Sequence, residues 1–170
     1  AVVDVTVVAG ETLTVVAHPH PAYPGSDAVT TTVLAPIGAS ALWQRAALEA
    51  TLLLTDGDSL PASHLAALSW VSLAPGVLSV DPEGLVTASG AGVDQVQATL
   101  AGLPSAPLEL TVTDVPVAVA GLTATFPATL SGLGGIAQAQ LTVDASLADG
   151  TVLPDAHLTA GLMTFSSDAP

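Results

Sequence analysis

Three residue types are missing from this 170-residue chain: it has no cysteine, no lysine and no asparagine. Without cysteine there is no disulfide staple, no thiolate nucleophile and no thiolate metal site, and the redox state of the compartment cannot be read. Without asparagine there is no acceptor for N-glycosylation. Without lysine there is no Schiff base and no donor for lysine-based cross-links, so assembly through these side chains is non-covalent. Arg45 is the single basic residue and offers trypsin-like proteases one cleavage position. That suits exposure outside the cell, and a general composition bias explains it equally well.

Charge of one sign is nearly absent too. Fifteen Asp and Glu face Arg45 alone, for a formal net charge of -14. Nucleic acid is excluded as a partner, because neutralising phosphates takes several Lys or Arg. An anionic membrane surface is disfavoured for the same reason. The acidic balance favours solubility, repulsion between copies and attraction of cations such as calcium.

What the chain does have is apolar material: 50% of residues are hydrophobic and only 9% are charged. This composition folds rather than staying disordered. Ala1 opens directly into Val2, Val3, Asp4 and Val5, with no basic region or long apolar core, so no signal peptide is read. The longest charge-free stretch, Val115 to Val143, carries Pro116, Pro127 and four glycines and alternates like a strand, which argues against a membrane span.

Strand signals recur along the chain as alternating Val, Thr and Leu broken by Gly, Pro and Asp-Gly turns. Examples are Glu11 to Val16, Gln95 to Leu100, Leu108 to Val112 and Ala139 to Val143. Good helix formers occupy Ala39 to Leu54, but the Leu52-Leu53-Leu54 run ends in Asp56-Gly57, a hairpin signal, so its second half reads as strand.

An internal repeat is the most informative feature. Residues 54–65 read LTDGDSLPASHL and residues 147–158 read LADGTVLPDAHL, with seven identities in twelve positions. After a short gap Trp70, Ser72, Ala74 and Pro75 correspond to Phe165, Ser167, Ala169 and Pro170. The period fits one sandwich of about 100 residues.

The stretch SWVSLAPGVLSVDPEGLVTASGAG, Ser69 to Gly92, followed by VQATL and LELTVTD, resembles the bacterial immunoglobulin-like group 2 repeat. Its Trp-x-Ser strand, its Val-Asp-x-x-Gly-x-Val turn and its two closing strands stand in the family's order. Phe165 replaces the tryptophan in the second copy, and asparagine is absent where the family's turns often use it. The resemblance implies an all-β fold of immunoglobulin-like sandwiches in tandem, one complete and flanked by partial ones. It also implies an extracellular or cell-surface location, on invasin- or intimin-type adhesins, other surface proteins or phage decorations, and no catalytic residues.

The expected division is 1–33 as N-terminal strands, 34–114 as the complete domain and 115–170 as the first half of a second. Val5-Thr6 and Gly10 to Val16 can be laid over Val86-Thr87 and Gly92 to Ala98. Residues 1–33 then read as the closing half of a sandwich, which allows copies to complete each other head to tail into a filament. A second reading, that these residues add strands to their own domain, and a third, that the ends are cuts in a longer array, stay open. Partners are accordingly copies of the chain or neighbouring repeats, with no nucleic acid and no membrane insertion.

Candidate chemical sites are few. Asp56, Gly57 and Asp58, with Asp149 and Gly150, read as hairpin turns that calcium could use; Asp81-Pro82-Glu83-Gly84 reads as another turn. His18 and His20, in His-Pro-His-Pro, suit an extended loop with no third zinc ligand. His64 and His157 hold equivalent places, which suits a hydrogen bond shared by the two copies. Gly132, Gly134 and Gly135 are not followed by lysine and read as a turn. Among the aromatics, Trp70 and Phe165 are expected in the cores, while Trp43 or Tyr23, if exposed, would mark a carbohydrate or host-protein site. No catalytic, cofactor or metal residues are assigned, and the chain does not read as an enzyme. The expected role is a structural or adhesive module of an extracellular fibre; the alternative is a ligand-binding module of a surface protein.

Overall fold

The computed structural model describes residues 7–125, 141–156, 159, 162–164 and 166. They form thirteen strands and a 3-10 turn at Ser26–Ala28, with no α-helix among them. The chain is all-β, and its first ten strands make a sandwich-like pair of sheets.

One sheet runs in the order β1 (Gly10–His20), β3 (Arg45–Leu54), β7 (Leu85–Ala88), β6 (Leu78–Val80), with β4 (Ser59–Pro61) also on β3. The other runs β2 (Val33–Leu34), β10 (Leu108–Val112), β8 (Gly92–Leu100), β5 (Leu68–Ser72), with β9 (Leu103–Pro104) also on β8. Neighbours pair antiparallel except β2 and β10, which run parallel. A third sheet, β11 (Val119–Thr125), β12 (Thr142–Leu147) and β13 (Val152–Leu153), follows.

Period-two alternation puts one set of side chains of each strand between the sheets. On β3 these are Ala46, Leu48 and Ala50; on β8 they are Asp94, Val96, Ala98 and Leu100, all buried. Leu34, Leu78, Val86, Leu110 and Val112 complete the main cluster, each essentially without solvent contact. Burying each of these side chains contributes about 2 kcal/mol relative to exposure. Alanine faces leucine and valine across the layer, so the core fills with few aromatics.

The β1 strand departs from one of the sequence readings. Its residues pair antiparallel with β3 from Gly10↔Leu54 to His20↔Arg45, and Leu13 and Ala17 enter the core beside β3. They open this sandwich rather than occupying the place of β7 and β8. An alternating Val/Thr segment fits any strand position, and burial beside β3 selects this one. The His18-Pro19-His20 segment is likewise the end of β1 and not a loop. Proline is tolerated there because β1 is an edge strand, and Pro19 turns inward.

The hairpin at the start of the sequence repeat recurs in three dimensions. The β3–β4 hairpin has its counterpart in β12–β13, and the two turns share their hydrogen bonds. Leu54 N–H donates to the Asp58 carbonyl and Gly57 N–H to the Leu54 carbonyl; Leu147 donates to Thr151 and Gly150 to Leu147. Both turn glycines have φ near +90° (90° and 89°), which is why Asp-Gly recurs. β11 lies on β12 as β1 lies on β3, with the register slip at Val119/Gly121 matching that at Gly10/Thr12. Ala9 and Ala118 accept equivalent bonds from Thr55 and Ala148.

Trp70, on β5, packs against both core clusters of the sandwich, as expected. Its indole Nε1 is buried without a partner. Gly84 (φ +85°) closes over it, and a Cβ there would stand 3.2 Å from Nε1 and from the Leu48 carbonyl oxygen. Phe126, Phe165, His157 and the three glycines at 132, 134 and 135 lie outside the described residues.

Two substitutions separate volume from polarity at Trp70. Trp70→Ala should cost about 3 kcal/mol in denaturant unfolding. Trp70→Phe, which keeps an aromatic and removes the unpartnered N–H, should cost under about 1 kcal/mol. Equal losses in the two variants would contradict the packing role.

Candidate functional site

Two polar residues sit where the alternation demands apolar ones, and both organise connections. Asp94 is in phase with Val96 and Ala98 and is 2% exposed. Its Oδ1 accepts from the Ala74 and Gln95 backbone N–H groups at 2.7 and 2.6 Å, and its Oδ2 from the Ser72 hydroxyl at 2.6 Å. This carboxylate fixes the corner between β5 and β6. Gln44 is in phase with Ala46 and Leu48 and is 6% exposed. The sequence reading passed over both, although a polar residue in step with an inward-facing row is a signal that could have found them.

Gln44 is the centre of the joint between the sandwich and the third sheet. Its Oε1 accepts from Ala35 N–H at 3.1 Å, and its Nε2 donates to Asp149 Oδ2 at 2.7 Å and Thr151 Oγ1 at 3.3 Å. Asp149 Oδ1 accepts from Thr151 N–H at 2.9 Å, so both carboxylate oxygens are used. Beside this clasp the loop 35–43 inserts Ile37, 4% exposed, into the core of the third sheet with Ala145, Leu147, Leu153 and Ala156. Leu42 and Val117 pack around it. Backbone pairing completes the joint: Gly38 N–H donates to the Val117 carbonyl and Val117 N–H to the Pro36 carbonyl, each at 2.8 Å. Ser40 stiffens the loop by donating its hydroxyl to the Ile37 carbonyl at 2.6 Å.

A groove of about 480 Å³ opens alongside, lined by Trp43, Arg45, His20, Leu42, Leu153 and Pro154 among others. Trp43 is half-buried against the main core, so only part of its ring faces the groove. Burial, and secondarily the Arg45 charge, hold the His20 imidazole below its ordinary pKa, against an opposing pull from Asp81.

The other singled-out residues fall apart spatially. His18 Nδ1 donates to the Val29 carbonyl at 2.9 Å while Nε2 lies 3.5 Å from Glu49, so neither nitrogen is shared with His20. Among the described residues no three His, Asp or Glu side chains are placed to hold a metal. His64 is exposed and makes no hydrogen bond among the described residues; the bond at this place comes from Ser63, whose hydroxyl oxygen accepts from Ala50 N–H at 2.8 Å. Asp81 to Gly84 is a turn, with Gly84 N–H donating to the Asp81 carbonyl at 3.0 Å. Tyr23 is half-buried beside the turn that Ser26 closes. No helix among the described residues is long and apolar enough to cross a membrane.

Comparison with protein-family models and with curated proteins finds no match for the chain.

Two measurements follow from this geometry. In a double-mutant cycle, Gln44→Leu and Asp149→Ala should couple by about 1 to 3 kcal/mol, because either change leaves the other partner unpaired; additive losses would show that the clasp contributes nothing. His20 binds a proton more weakly folded than unfolded, so its contribution is complete above its unfolded pKa of about 6.5 and falls as pH drops through that value. His20→Gln should flatten the stability curve from about pH 7 to about pH 5.5, and an unchanged slope would contradict the burial of that ring.

Proposed function

We propose that the chain is a non-catalytic structural module, a run of immunoglobulin-like units that serves as a stiff, acidic spacer in an extracellular surface fibre. The joint carries this reading. One unit's loop is buried in the next unit's core and locked by a buried amide, as suits units that must keep their relative orientation. One strand pair of the sandwich supports it too. β2 and β10 are parallel, bonded through Thr111 N–H to Thr32 and Thr113 N–H to Leu34 at 2.9 and 3.0 Å, so tension along the chain would load these bonds together in shear.

The resemblance read from Ser69 to Gly92 is compatible with this role. Trp70 lies on β5, Val80 on β6, and the Asp81 to Gly84 turn leads into β7. β1 is held within its own sandwich, so the spacer reading needs no exchange of strands between copies. The net charge of -14 keeps neighbouring modules apart and soluble.

A second reading is favoured by one observation: the groove holds the chain's sole arginine next to Trp43 and His20. Among the described residues Arg45 has no carboxylate within salt-bridge distance, which suits a ligand carrying a carboxylate, such as a uronic acid sugar.

Small-angle X-ray scattering tests the first reading. The radius of gyration should stay constant from about 50 to about 500 mM salt, and Ile37→Asp should enlarge it by freeing the joint. An unchanged radius in Ile37→Asp would contradict the spacer. Trp43 fluorescence in a Trp70→Phe background tests the second: a saturable change on adding galacturonate oligomers supports a ligand groove, and a flat response rejects it.

A further inference from the structure

The joint covers a set of residues in the second unit more fully than their counterparts in the first are covered. Leu153, 8% exposed, corresponds to Leu60, 47% exposed. Leu147, 3% exposed, corresponds to the half-buried Leu54, and Val117 corresponds to Val8, 37% exposed. These equivalences follow from the shared hairpin bonds and from the matching Ala9 and Ala118 contacts. Val117 has both backbone groups paired to the loop at Pro36 and Gly38, whereas Val8 is paired to no described residue.

The polar half of the joint repeats in the same way. Asp56 makes the same turn as Asp149, its Oδ1 accepting from Asp58 N–H at 3.1 Å. In Asp149 the other oxygen takes the Gln44 amide; in Asp56 it has no partner among the described residues. Thr151, the second acceptor for Gln44, is replaced by Asp58, which accepts at least as strongly.

We propose that this end of the first unit, formed by Val8, Leu54, Asp56, Asp58 and Leu60, is a docking face for a preceding sandwich unit of the same kind. The partner would present a loop like 36–44: an isoleucine and a leucine for the open apolar residues, a backbone segment to pair with Val8, and a side-chain amide for the two carboxylates. The unit described here is therefore built to receive at one end what it gives at the other, so that a heterologous contact repeats along an array. This inference rests on the tandem-unit reading proposed above.

A tandem duplication of residues 8–116 within the full chain tests it, because Pro116 of the upstream copy then runs into Val8 as it normally runs into Val117. Amide hydrogen exchange reads the contact. The Val8 amide of the downstream copy, fast in the unduplicated chain, should slow at least about tenfold and approach Val117. If Val117 is protected and Val8 stays fast, the docking face is overturned while the joint stands. If Val117 itself is fast, the joint and the array reading fail together. Should the duplicated chain not fold, a cyclic peptide of residues 34–45 titrated into the normal chain gives the second readout. Saturable shifts of the Val8, Leu54 and Asp56 amides support the face, and none at millimolar peptide overturns it.

Discussion

One buried amide links the sandwich to the third sheet. Gln44 occupies a core position on the strand row that continues through Ala46 and Leu48, where leaving a carboxamide unpaired would cost about 1 to 3 kcal/mol. Its oxygen is satisfied by Ala35 and its nitrogen by Asp149 and Thr151, so the same side chain fixes the loop of the sandwich and the turn of the third sheet. The apolar insertion of Ile37 supplies area, and the amide supplies orientation.

Strand β3 is the scaffold for this arrangement. It pairs with β1 along one edge and with β7 and β4 along the other, while its inward row of alanine and leucine faces β8 and β10. Because β3 leads directly from Gln44, any shift in its register would move the amide away from Asp149. The sandwich core and the joint are thus coupled through a single continuous strand. β12 repeats the role, with β11 on one side and β13 on the other.

Much of the fold was legible in the sequence. Period-two alternation located β1, β8 and β10; Asp-Gly located the β3–β4 hairpin and the second half of β3, while helix formers masked its first half; and the repeat of LTDGDSLPASHL foretold the second hairpin. The strand partner of β1 was not legible, because alternating Val and Thr fits any place in a sheet and only burial beside β3 distinguishes one. His18-Pro19-His20 read as a loop because proline usually breaks a ladder, and an edge position removes that penalty. Of the site, the turn at Asp149 was visible but not its use. A hairpin aspartate looks the same whether its second oxygen meets water, a cation or an amide from another unit. Gln44 and Asp94 were hidden for the opposite reason: each is one polar residue in a long apolar alternation, and attention goes to the pattern rather than its interruption.

The central claim is that the two units are held in one orientation by the Gln44 and Ile37 contacts. Residual dipolar couplings from the weakly aligned chain test it most directly. The account predicts that amides of β3, β8 and β10 and amides of β11, β12 and β13 fit one common alignment tensor, and that Gln44→Leu makes the second set fit a smaller one. Two tensors of different magnitude in the unsubstituted chain would mean that the units move independently, and would contradict a joint built to hold them.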